Sequence, residues 1–167
     1  MIDRSHTARI LELNQANVPH VGNLDHTELE WLLTHSLFQH ATWDGQRLTG
    51  FILGLEPGTE YGSANYHWFC EHFPELHWFE QRADAFLYID RLAVAADYRK
   101  NGLGQSLYAE AESYCRDKGL PVLTCEVNLE PLNQTSLDFH ARLGFEEVGQ
   151  LRHGPDKLVS LLAKAVD

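Results

Sequence analysis

Residues 85–104, AFLYIDRLAVAADYRKNGLG, constrain this chain more than any other stretch. Phe86, Leu87, Tyr88 and Ile89, followed by Leu92, Ala93 and Val94, form an aromatic and branched run that predicts a buried strand. Asp90 and Arg91 interrupt it, and charges inside a buried strand carry a partner or a task. A short polar turn at residues 96–98 leads to Arg99, Lys100, Asn101, Gly102, Leu103 and Gly104. Beyond it, Leu107, Ala111 and Tyr114 at helical spacing predict a helix from Gln105 to about Lys118. The first N–H groups of a helix have no intrahelical partner and lie at the positive end of its dipole. Glycines at that point let an anion approach the backbone. Residues 99–105 therefore read as a pyrophosphate cradle, to which Arg99 and Lys100 add charge.

Two phosphate-binding patterns are disfavoured. A P-loop requires G-x-x-x-x-G-K-[ST], whereas Gly104 is followed by Gln105 and Ser106. The dinucleotide fingerprint requires a third glycine where this chain has Leu107, and it belongs near the start of a βαβ unit. Composition narrows the partners. With 13 Lys and Arg against 24 Asp and Glu, the formal net charge is −11, which argues against nucleic acid or an anionic membrane and leans towards a cationic amine. The 167 residues suit one globular domain with a real core. No apolar leader or membrane-spanning stretch is present in the sequence, and Cys70, Cys115 and Cys125 lack paired spacing, so reduced thiols and a cytoplasmic setting are expected.

Taken in order, residues 8–13 (ARILEL) read as a first strand and residues 14–21 as a turn and short helix. Asp25 caps a helix from His26 to about His35 that buries Leu29, Leu32 and Leu33. Strands at 38–43 and 47–55 flank an Asp44-Gly45 hairpin turn. Residues 56–82 form an excursion dense in aromatics (Tyr61, Tyr66, Trp68, Phe69, Phe73, Trp78, Phe79), with a short helix expected at about 66–73. His67, His72 and His77 recur every fifth residue, which winds them around a helix rather than onto one face, so no metal site is expected. Aromatic walls suit an amine, and the acceptor pocket is placed along this segment. Gly119 and Pro121 end the central helix. A strand at 122–127, a loop at 128–132, a helix at 133–143 and strands at 146–152 and 157–165 complete the chain.

The pattern R-x-x-G-x-G at Arg99, Gly102 and Gly104, after a strand ending Leu92-Ala93-Val94, resembles the acetyl-CoA-binding motif of the GNAT superfamily of acyl-CoA N-acyltransferases. Residues 133–145, NQTSLDFHARLGF, resemble that superfamily's second motif, N-x-x-[AS]-x-x-[FL]-Y-x-x-x-G-F. The motifs cover roughly residues 85–150, and the order of elements extends the resemblance to the rest. It implies an α/β (α+β) fold, a mixed and mostly antiparallel central sheet of about six to seven strands flanked by helices. It also implies transfer of an acetyl group from acetyl-CoA to a primary amine by direct attack, with no metal. The branch it points to is bacterial and fixes no acceptor: a small amine, an amino acid, a peptide N-terminus and a lysine all stay open. A homodimer is compatible with it.

By the same resemblance, pantetheine pairs with the backbone at Leu92, Ala93 and Val94. The pyrophosphate sits on the N–H groups of Arg99, Lys100, Asn101, Gly102, Leu103, Gly104 and Gln105. Asn133, Ser136 and His140 add contacts to coenzyme A. Deprotonating an amine requires a carboxylate. Glu126 matches the base of peptide-terminus acetyltransferases, Asp90 is the second candidate, and the two could share the work through water. Tyr88 stands where some members carry a catalytic glutamate. The superfamily's thiolate-protonating tyrosine is replaced by His140, whose ordinary titration range suits general acid work, with Tyr108 as a substitute and simple packing as the alternative. Asn128 lines the acceptor side or caps a loop. A degenerate, non-catalytic acyl-CoA sensor is the rival to an enzyme.

Overall fold

A computed structural model describes residues 2–72 and 85–166. Among the described residues, five α-helices and six strands follow one another as α1 (Thr7–Gln15), α2 (His26–His35), β1 (Phe38–Asp44), β2 (Arg47–Leu55), α3 (Ala64–His72), β3 (Leu87–Val94), α4 (Leu103–Lys118), β4 (Val122–Glu130), α5 (Gln134–Arg142), β5 (Glu146–Arg152) and β6 (Leu158–Ala165). The strands form one sheet in the order β1-β2-β3-β4-β6-β5. β3 pairs with β4 in parallel, and the β1–β2, β4–β6 and β5–β6 pairs are antiparallel. This is the mixed, mostly antiparallel sheet expected. Contacts divide the chain into two compact units, one of Met1–Leu55 with Ile89–Tyr114 and one of Glu56–Tyr88 with Cys115–Asp167.

In the first unit, residues 8–13 are helical rather than extended. Thr7, Ile10, Leu13 and Asn14 are buried, a spacing of three and four that only a helix brings to one side. The chain after Gln15 forms a turn, not a second helix; its bonds run from Asn17 N to Asn14 O (2.9 Å) and from His20 N to Asn17 O (2.9 Å). α2 has the expected bounds. Asp25 accepts from Glu28 N while the Glu28 side chain accepts from Asp25 N, a full capping box, and Leu29, Leu32 and Leu33 are buried. β1 and β2 close a hairpin whose turn is Gly45, at φ +56°, and Gln46, one position beyond the expected Asp44-Gly45 because Asp44 still pairs with Arg47. The face of β2 comes so close to α4 that a Cβ on Gly50 would lie 3.2 Å from Leu107 Cδ1 and 3.3 Å from Ala93 O.

In the second unit, β4 extends to Glu130, three residues into the stretch expected as a loop. Asn128 pairs with Val159 and Glu130 with Leu158, which leaves Leu129 as an extra residue in the ladder. A similar extra residue, Val148, lies on the outer strand β5 between Glu147, opposite Leu162, and Gly149, opposite Leu161. α3 begins earlier than expected, at Ala64; Phe73, His77, Trp78 and Phe79 lie outside the described residues. Its Trp68 ring lies flat on His72 (4.4 Å, 9°) and covers Gly149. At the end of α4, Leu120 N donates to Cys115 O (2.8 Å) past Gly119 at φ +67°, the glycine-terminated turn expected there. Among the described residues, no helix is long and apolar enough to cross a membrane.

Candidate active site

The cradle belongs to the first unit. β3 ends at Val94, Ala95 N donates to Thr49 O (2.8 Å), and a single 3-10 turn at Ala96–Tyr98 redirects the chain. Lys100 (φ +64°) and Gly102 (φ +80°) take left-handed backbone, and α4 starts at once with Leu103, so the glycine-rich stretch lies on the helix N-terminus. Ser106 N makes the first helical bond to Gly102 O (2.9 Å). Lys100, Asn101, Gly102 and Gln105 are exposed, and Leu103 and Gly104 half-buried. The β1–β2 hairpin braces the turn: Arg47 forms a two-point pair with Asp97 (2.7 and 2.8 Å), lies over the Tyr98 ring, and the Tyr98 hydroxyl donates to Asp44. The Arg47 hydrogen bond lowers the Asp97 carboxyl below its usual range. Arg99 is exposed and is held along the surface, its Nη2 donating to Asn17 Oδ1 (2.8 Å) and its Nε to Val94 O (3.3 Å).

Asp90 lies on the same strand upstream of the cradle. Its Oδ2 accepts from Arg91 Nε at 2.6 Å, and the two side chains are 4% and 8% exposed. Arg91 Nη1 donates onward to Asn14 Oδ1 (3.1 Å), and Asn14 is fully buried. Asp90 thus has the partner that a charge inside a buried strand calls for. Leu92 is half-buried, Ala93 and Val94 are buried, and Tyr108 is buried on α4.

The second unit brings two of the predicted residues into direct contact. Tyr88 is opposite Thr124 in the parallel ladder, and its hydroxyl reaches Glu126, which shares a β4 face with Thr124, donating to Oε2 at 2.8 Å. Tyr88 is fully buried and Glu126 half-buried. Tyr66 meets the Tyr88 ring edge-on at 5.6 Å and Phe69 lies 6.0 Å away. Tyr66 is itself fixed, donating to Glu56 O (2.9 Å) and accepting from Thr59 N (3.0 Å), and burial raises its phenol. The sequence places Tyr66 in the aromatic excursion without singling it out, since nothing local distinguishes it from its neighbours. Burial also raises the Cys70 thiol, the opposite of what a nucleophile needs.

α5 carries the second motif. Asn133 caps it by accepting from Ser136 N (3.2 Å). His140 is 8% exposed, with its Nδ1 against Ser136 O (2.7 Å) and its ring between Phe139 (5.2 Å) and Phe145 (5.3 Å). A carbonyl only accepts, so Nδ1 carries the proton. Burial pushes His140 below its ordinary value, partly opposed by the Ser136 carbonyl. Asn128 is half-buried on β4, and its carbonyl accepts from Asn133 N (3.1 Å). Among the described residues, no group of three or more His, Cys, Asp or Glu is placed to hold a metal ion.

Solved structures share this fold. The ribosomal-protein-S18-alanine N-acetyltransferase from Escherichia coli is 13% identical, with a TM-score of 0.71 over 99% of this chain and 90% of that one. Ard1 from Thermoplasma volcanium is 15% identical with a TM-score of 0.74, over 99% and 94% of the two chains. An aminoglycoside 6'-N-acetyltransferase complexed with coenzyme A is 17% identical with a TM-score of 0.71, over 99% and 93%. No curated protein sequence gives a significant match. The family profile described as Acetyltransferase (GNAT) family matches residues 8–145, and the chain belongs to the GNAT acetyltransferase family.

Proposed function

We propose that this protein transfers the acetyl group of acetyl-CoA directly to a primary amine. The observation that carries the reading is the Tyr88–Glu126 hydrogen bond at 2.8 Å, in a chain that also presents a glycine-rich helix N-terminus. The main-chain N–H groups of residues 99–105 hold the pyrophosphate, as the neighbour crystallised with coenzyme A makes reasonable, and Gly102 and Gly104 keep side chains out of its way. Glu126 is the base. Its carboxylate takes a proton from the ammonium form of the acceptor, directly or through water, and the Tyr88 hydroxyl orients the carboxylate by donating to it. The amine nitrogen then bonds to the thioester carbonyl carbon, the C–S bond breaks, and the sulfur leaves as coenzyme A thiolate, which takes up a proton. Backbone N–H groups near Leu92 or Val94 suit the oxyanion that develops at the carbonyl.

Asp90 is left with a structural part, because its carboxylate is already held by Arg91. The burial of His140 and the commitment of its proton to Ser136 O give it a fastening role in α5 in preference to that of thiolate acid. The same observation favours a second reading, a module that binds acyl-CoA without turnover. Acidic composition and the aromatics of α3 (Trp68) and its approach (Tyr61) suit a cationic acceptor. The test is thiol release from acetyl-CoA across amines, amino acids and N-terminal peptides, beside a coenzyme A thermal-shift titration. Turnover that Glu126→Gln abolishes is the expected result. A thermal shift with no turnover on any acceptor establishes the sensor, and no shift at all overturns the cradle.

A further inference from the structure

We infer that Asn17, which lies outside both motifs at the end of α1, is a positioning residue for the donor site and acts through Arg99. The inference rests on the reading of residues 99–105 as the pyrophosphate cradle. Arg99 is the first residue of that cradle, and its side chain, although exposed, is tied to Asn17 Oδ1 at 2.8 Å and to Val94 O at 3.3 Å. The backbone that follows puts Lys100 at φ +64°, a left-handed conformation that a residue with a side chain rarely adopts. Anchoring the Arg99 side chain at two of its three nitrogens fixes where that turn departs from β3.

Asn17 is well placed to be an anchor because it is itself anchored. Its Nδ2 donates to Leu13 O (2.8 Å), closing the last turn of α1, while Asn17 O accepts from His20 N (2.9 Å) and Val21 N (3.2 Å). One turn earlier, Asn14 receives Arg91 from β3 (3.1 Å) and donates to Gly22 O (3.0 Å). Two arginines flanking the Leu92–Val94 backbone thus reach the same end of α1. The amide of Asn17 does two separable jobs. Its nitrogen caps the helix, and its oxygen holds Arg99.

That separation makes the test. Asn17→Asp keeps the accepting oxygen and loses the capping donor, while Asn17→Ala loses both. Coenzyme A affinity is measured by calorimetry and Tm by thermal melt on the full chain, at about 0.5 M salt so that the added carboxylate is screened from the nucleotide phosphates. An exposed hydrogen bond to a guanidinium predicts that Asn17→Ala weakens coenzyme A binding about three- to tenfold. Arg99→Ala weakens it to the same extent, and the double variant no further, since both remove one link. Asn17→Asp lowers Tm as Asn17→Ala does but keeps affinity within about twofold. Equal loss of affinity in Asn17→Asp and Asn17→Ala, or unchanged affinity in Asn17→Ala, overturns the inference while leaving the donor reading intact. Failure of the unmodified chain to bind coenzyme A overturns the donor reading, and the inference with it.

Discussion

Gly149→Ala tests whether α3 is seated on β5 as described. The residue's φ lies outside the left-handed region, so alanine meets no backbone strain there, and the effect is purely one of space. A Cβ at this position would lie 2.5 Å from Trp68 Cζ2 and 2.7 Å from Cη2. Carbon atoms rest at about 3.5–4.0 Å, so the indole has to retreat by about 1 Å or more. It is not free to do so: the ring lies flat on His72 at 4.4 Å and edge-on to Phe69 at 5.4 Å. Overpacking of this kind costs about 1–3 kcal/mol. For a chain of this size that is a fall in Tm of about 2–10 °C. Urea unfolding followed by far-UV circular dichroism gives the value directly, as a shift in midpoint at unchanged slope. The decisive control is Trp68→Leu, which removes the opposing atoms. In that background Gly149→Ala should cost less than about 0.5 kcal/mol. Equal costs in the two backgrounds, or a negligible cost in the unmodified chain, would refute the argument.

Other substitutions probe the site and its supports. Glu126→Gln should lower kcat by about a hundredfold or more, with coenzyme A affinity unchanged, in the thiol-release assay. Gly102→Ala meets no neighbour within 4 Å but forces a side chain onto φ +80°, so it should destabilise by about 1–2 kcal/mol and weaken coenzyme A binding, read by melts with and without the nucleotide. Asp25→Ala removes the capping box of α2 and should destabilise by about 1 kcal/mol, with coenzyme A affinity untouched. Burial holds His140 below the ordinary 6.5, and burial with Lys157 does the same to His153. The unfolded chain therefore binds more protons than the fold as pH drops below about 6.5, and stability present above that pH is lost towards pH 5. His140→Asn should flatten that slope in melts from pH 7.5 to 5; an unchanged slope would exclude His140 as its source.

Local signals carried much of this molecule. The strand, turn and helix around the cradle were legible because hydrophobic run, glycines and helical spacing are adjacent in the chain. α2 was legible because Asp25, Glu28 and three leucines mark its start and its buried side. ARILEL misled because Ile10, Leu11 and Leu13 satisfy an extended reading as well as a helical one; burial of Thr7 and Asn14 decides between them, and no local cue reveals it. Asn128 and Glu130 looked like loop because they are polar, yet they pair with β6, whose register is set far away in sequence. In the site, Tyr88 and Glu126 were each singled out, but their hydrogen bond depends on the Tyr88–Thr124 register of a parallel pair. The grip of Arg99 on Asn17 spans 82 positions and left no trace in either segment.

The extra residue on β5 has a consequence for the chain's behaviour at high concentration. A terminal strand presents unpaired main-chain donors and acceptors, the template on which edge-to-edge aggregation starts. β5 is the terminal strand on its side of the sheet, and Val148 breaks its regular alternation at mid-length. Glu146 and Glu147 are adjacent at the start of the strand, so a copy adding in parallel register meets carboxylate against carboxylate. An interrupted ladder and, against a parallel copy, like charges together oppose extension of the sheet from β5.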